Sequence, residues 1–123
     1  MTKVSGKRVF LSGPITGMPS FNAAGFAAAH EMLNDAGAKY VFDPAFERYV
    51  EVSKGKPEGG HGCYMRKTLA ELISTERDYD CSYRSHYDVL VLLPGWKDSE
   101  GARVEAEVAK AIGIEVCELG DVE

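Results

Sequence analysis

Cysteine is scarce in this chain: three residues, Cys63, Cys81 and Cys117, among 123. An odd number with no paired spacing excludes a disulfide framework. Neither these cysteines nor His30, His61 and His86 offer the spacing of a zinc site. The histidines read as surface or packing residues, and no metal or other cofactor is expected. Long apolar runs are missing too. None approaches the ~20 residues of a membrane span, and residues 1–8 lack the apolar centre of a signal peptide. A cytoplasmic protein with no membrane partner is the expectation. Positive charge is in deficit, with 14 Lys and Arg against 19 Asp and Glu, a net charge of -5. That balance disfavours a nucleic acid polymer bound through its phosphates, but not a single nucleotide held by a few backbone amides. The remainder is ordinary for a globular chain, 45% hydrophobic and 27% charged, with no internal repeat. Residues 1–123 suffice for one domain with a real core.

The stretch over residues 88–109 organises the rest. Val89-Leu90-Val91-Leu92-Leu93 reads as a buried strand of the kind found in parallel sheets covered on both faces. Pro94-Gly95 stops it. A polar turn follows, then Ala102, Val104, Ala106, Val108 and Ala109 open a helix that ends at Gly113. Residues 114–119 alternate as a last strand. Upstream, residues 7–12 read as a first strand and 13–17 as a glycine loop. A helix follows to about Ala36, with Ser20 or Asn22 as its cap, and Tyr40-Val41-Phe42 forms a second strand. This order predicts an α/β domain, a parallel sheet with helices on both faces. The region about 46–62, with its Lys, Gly and Pro, reads as a flexible loop, either a lid or a plain surface insertion. Residues 64–73 recover a helical pattern, and 75–87 read as a short helix or turn.

Ligands of open α/β sheets sit at the carboxyl ends of the strands. Two loops belong there, Gly13-Pro14-Ile15-Thr16-Gly17 and Ser99-Glu100-Gly101-Ala102, each joining a strand to a helix. Neither is a Walker loop or a dinucleotide fingerprint. Glycines still permit close backbone approach, and a helix start favours an anion. Two such loops on one sheet edge predict a ligand pocket. Glu105 lies in the first turn or two of its helix, near that edge, where the helix dipole keeps a carboxylate ionised. An ionised carboxylate facing a pocket serves as a nucleophile or a base. The commoner use of such a Glu is as a solvated dipole partner, and Glu100 and Glu107 fit that description. Asp80 precedes the central strand by about two helical turns. Partly buried beside another carboxylate, it would have a raised pKa and donate a proton; otherwise it is a cap or a surface residue. For Tyr64, Tyr79, Tyr83 and Tyr87, packing is the first expectation and base stacking the second.

The stretch Val9-Phe10-Leu11-Ser12-Gly13-Pro14-Ile15-Thr16-Gly17, paired with Leu93-Pro94-Gly95-Trp96 and Ser99-Glu100-Gly101-Ala102-Arg103-Val104-Glu105, resembles the nucleoside 2-deoxyribosyltransferase superfamily. The nearest likeness is to a branch of small bacterial and phage proteins, over nearly the whole chain outside 46–62. The resemblance implies a flavodoxin-like (Rossmann-like) doubly wound fold, a homo-oligomer, no cofactor, and a small-molecule nucleoside or nucleotide as partner. It implies cleavage of the N-glycosidic bond of 2'-deoxynucleosides or their 5'-monophosphates, the sugar passing to another base or to water. Carried over residue by residue, the nucleophile falls on Glu105 and the assisting acid on Asp80. Ser12 at the end of the first strand with Gly13, Ile15 and Gly17 of the first loop, and Asp98 just before the second loop with its Ser99, Gly101 and Ala102, are the implied substrate-binding residues.

Ser99 stands where superfamily enzymes acting on monophosphates carry a serine and those acting on nucleosides carry a carboxylate. A 5'-monophosphate is therefore the expected substrate, with Asp98 as the alternative acceptor for a 5'-hydroxyl. The first-strand tyrosine that hydrogen-bonds the nucleophile falls on Phe10, which has no hydroxyl. Either another group orients Glu105, or catalysis is weak or lost and the chain is a nucleotide-binding module on the same fold.

Overall fold

The computed structural model describes residues 1–15, 17–55, 61–77 and 83–123. In chain order the elements are β1 (Arg8–Ser12), α1 (Ala23–Asp35), β2 (Tyr40–Phe42), α2 (Pro44–Ser53), α3 (His61–Leu72), β3 (Thr75–Arg77), β4 (Tyr83–Ser85), β5 (Val89–Leu92), α4 (Glu100–Ala111) and β6 (Glu115–Glu118). The short apolar runs pair as a four-stranded sheet in the order β2-β1-β5-β6, with every neighbouring pair parallel. Side chains alternate across the pleat. Val9, Leu11, Val89, Val91 and Leu93 share one layer with Phe26, Ala29 and Leu33 of α1. Phe10, Leu90 and Leu92 share the other with Leu72 of α3 and Ala102, Ala106 and Ala109 of α4. Helices thus cover both faces, as the continuous apolar strands require, and the α/β arrangement is consistent with a flavodoxin-like fold. Phe10 is fully buried, stacked on Phe42 at 5.0 Å and edge-on to Tyr87 at 5.4 Å.

Three local expectations are corrected. Much of the region read as a loop over 46–62 is helical: α2 occupies Pro44–Ser53 and α3 begins at His61, while 56–60 lie outside the described residues. The start signal is Asp43-Pro44, which also closes β2. Asp43 Oδ1 accepts a hydrogen bond from the Phe46 amide at 3.0 Å. Pro44 takes the first helical position, where its missing N–H and fixed φ cost nothing. The glycine-rich segment that follows concealed this helix from the sequence pattern. Within the stretch read as a short helix or turn over 75–87, residues 75–77 and 83–85 form the antiparallel pair β3 and β4, with Glu76 opposite Arg84, while 78–82 lie outside the described residues. Finally, α1 starts without a side-chain cap. A single 3-10 turn, Pro19–Asn22, leads into it, and Asn22 is left-handed at φ 58°.

Among the described residues no helix is long and apolar enough to cross a membrane. Among them, no group of three or more His, Cys, Asp or Glu could hold a metal ion.

Gly13, at the end of β1, is required by packing between strands. A Cβ there would lie 2.8 Å from Leu93 Cβ and 3.6 Å from Phe26 Cζ. A Cβ cannot swing away, so Gly13→Ala should destabilise the fold by about 1–3 kcal/mol. The expected reading is a lower urea midpoint with an unchanged m-value.

Candidate active site

From the central pair β1 and β5 the chain leaves in opposite directions, to β2 on one side and to β6 on the other. The loops after β1 and β5 therefore diverge at the carboxyl ends of those strands and open a crevice between them. That crevice is a cleft of about 290 Å³. Gly13, Pro14 and Ile15 line it from the β1 side, and residues 98–102 with Glu105 from the β5 side. A third wall comes from α2 and α3, through Arg48, Tyr64, Met65 and Thr68.

The cleft brings together Gly13, Ile15, Asp98, Ser99, Gly101, Ala102 and Glu105 of the residues expected at the site. Gly17 is exposed and outside the lining, and Asp80 lies outside the described residues. Arg48, Met65 and Thr68 were not foreseen, because they sit on helices whose register toward the cleft is decided by tertiary packing. The Asp43-Pro44 helix start was the one signal that could have brought α2 into consideration.

Ser12 has a different place from the one expected. Its side chain is fully buried, and Oγ donates to Glu105 Oε1 at 2.6 Å. The reason lies in the pleat. Ser12 is two residues beyond Phe10 and so on the same face of β1, the face that α4 covers. It meets Glu105 there and does not line the cleft. Phe10 on the same face carries no hydroxyl, and Ser12, one strand repeat further on, does.

Glu105 is the sixth residue of α4 and is only 6% exposed. The helix dipole is not the main influence on this carboxyl. The dipole acts mainly within the first turn, and burial dominates instead, raising the carboxyl above its usual value near 4.5. The Ser12 and Thr68 hydroxyls pull the other way and offset part of that rise.

The β5 loop is held from behind and from within. Trp96 Nε1 donates to Glu118 Oε1 of β6 at 3.0 Å, which ties the turn to the sheet. Gly95 supplies the left-handed backbone, φ 88°, that Pro94-Gly95 needs to turn out of β5. Ser99 then caps α4, its Oγ accepting from the Ala102 amide at 3.2 Å. That uses the Ala102 donor expected for a ligand. The Gly101 amide stays among the first-turn donors that no intrahelical carbonyl takes.

The raised Glu105 pKa carries a stability signature. The folded chain holds this proton more tightly than the unfolded chain. Stability from this group is therefore complete at low pH and is lost as pH rises past the ordinary carboxylate range and through the raised value. Glu105→Gln keeps the shape and an acceptor for Ser12 but removes the charge. At neutral pH it should raise the melting temperature by about a few degrees. Near about pH 4 the variant and wild type should melt together. Parallel melting curves across the whole pH range would show that the carboxyl is not buried as described.

No curated protein and no solved structure matches the chain. A family model does: residues 7–118 match the domain of unknown function DUF4406, and the chain belongs to that family.

Proposed function

We propose that this chain cleaves the N-glycosidic bond of 2'-deoxynucleosides or their 5'-monophosphates, with Glu105 as the nucleophile. The resemblance to the nucleoside 2-deoxyribosyltransferase superfamily suggests the reaction. The observation that supports it best is the buried Ser12–Glu105 hydrogen bond at the edge of the cleft. Phe10 removes the hydroxyl that the resemblance expects beside the nucleophile, and Ser12 supplies another.

With Oε1 held by Ser12, Oε2 is the attacking oxygen. Its electron pair forms a bond to C1' while the C1'–N bond breaks, and that second pair leaves with the base, which takes up a proton. Water or another base then attacks C1', the ester bond breaks, and the Glu105 carboxylate is regenerated. This is the double displacement of retaining glycosidases. A deoxy sugar suits it, since no 2'-hydroxyl withdraws charge from the oxocarbenium-like transition state. Burial helps as well, because it disfavours the free carboxylate relative to the neutral ester it becomes. By the resemblance, Asp80 assists the departing base. The 5' end lies against Ser99, whose own hydroxyl hydrogen can donate to phosphate while its oxygen caps α4, and against the Gly101 amide.

Incubation with a panel of deoxynucleosides and their monophosphates, followed by chromatography, should reveal free base, with the monophosphates preferred. Glu105→Ala should abolish release. Ser12→Ala should lower kcat by about tenfold or more. It should also move the acid limb of the pH profile upward, since the Ser12 bond lowers the Glu105 pKa. Nucleotide binding without base release from any substrate would instead assign a non-catalytic nucleotide-binding module.

A further inference from the structure

The cleft wall built by α2 and α3 has no part in the steps above, yet it holds a buried cation. Arg48 is 7% exposed, and its guanidinium carbon lies 3.7 Å from the centre of the Tyr64 ring. Stacking on the ring fixes the plane of the guanidinium. Arginine offers only donors, arranged as a rigid fork. Tyr64 and Thr68 are four residues apart on α3, on one face and on adjacent turns. Thr68 in turn lies against the Glu105 carboxylate. The arginine fork is therefore stationed about one helical turn along α3 from the residue that meets the nucleophile.

On the glycosidase reading above, the sugar sits at Glu105 and its 5' end at the start of α4. The base is then the part of the substrate left for the α2–α3 wall. Resting on that reading, we infer that Arg48 recognises the departing base and selects one presenting two adjacent hydrogen-bond acceptors. Guanine does so with O6 and N7, and cytosine with O2 and N3. Adenine sets an amino donor beside N7, and thymine an N–H beside O2, so either would face one arm of the fork with a donor. The electron pair that leaves C1' with the base spreads onto those acceptor atoms. The Arg48 N–H groups stabilise it there without giving up a proton, as donors aimed at developing charge do. A phosphate is the rival occupant of this wall. It is disfavoured because Ser99 and the first-turn amides of α4 already provide for the 5' end.

The test measures kcat/KM for the deoxynucleosides of guanine, cytosine, adenine and thymine, each also as its monophosphate, in wild type, Arg48→Met and Arg48→Lys. Calorimetric binding of the same ligands runs beside it. Methionine keeps an unbranched stem without the fork; lysine keeps the charge without the fork and carries the test should Arg48→Met fold poorly. Wild type should favour guanine and cytosine by at least about tenfold, and both variants should lose that preference. A wild type indifferent to the base, or a preference that survives both substitutions, overturns the inference. So does a loss confined to monophosphates and equal across the bases, which would assign Arg48 to phosphate. If no substrate releases base, the glycosidase reading fails separately, and calorimetry decides. A four-base ranking in affinity that disappears without the fork sustains Arg48 as the base reader, and no ranking overturns it.

Discussion

Ser12 Oγ donates to Glu105 Oε1 at 2.6 Å inside the protein, between residues 93 apart in the chain, and that bond holds the one buried carboxyl that lines the cleft among the described residues. It joins the last residue of β1 to the second turn of α4, across the layer that packs Phe10, Leu90 and Ala106. A carboxylate withdrawn from water without partners would be strongly disfavoured. Here two hydroxyls answer it only in part, and the residue of that cost is seen as a raised pKa. The surrounding packing is what keeps an acidic group in a place it would otherwise leave. Instability held at a site by the rest of the fold is a common mark of function.

The same bond shows how one strand serves the core and the cleft edge together. Residues two apart on β1 share a face and are separated by about 6.6 Å along the strand. With phenylalanine at position 10, the inner layer gains an aromatic cluster of Phe10, Phe42 and Tyr87. With serine at position 12, the hydroxyl sits at the carboxyl end of the strand, where α4 passes over it. The core and the candidate site thus draw on alternate demands of one five-residue strand.

Charge within the cleft is divided by element. The β5 side carries Asp98 and Glu100, both exposed, around a helix start whose amides favour anions. The α2–α3 side carries Arg48, buried and stacked on Tyr64. A ligand with an acceptor-rich end and a hydroxylated or anionic end would be oriented by that division. Solvent screens the exposed carboxylates far more than the buried guanidinium.

The strands were legible because their patterns are local. An unbroken run from Val89 to Leu93, closed by Pro94-Gly95, has few alternatives to a buried parallel strand, and Val9-Phe10-Leu11 has few more. The two glycine-bearing loops and Glu105 followed, since a parallel sheet puts its strand-to-helix loops on one edge whatever else the chain does. The short antiparallel pair β3 and β4 and the helix α2 were not legible, because three-residue strands and a helix flanked by glycine-rich sequence carry little periodic signal. The third wall of the cleft was out of reach for a deeper reason. Sequence determined that this chain folds as a parallel α/β sheet and which edge would carry the loops. Only tertiary structure decided that Ser12 turns inward to Glu105, and that Arg48, Tyr64 and Thr68 close the cleft. Those contacts join side chains whose approach depends on how whole helices pack over the sheet, and no local pattern encodes that distance.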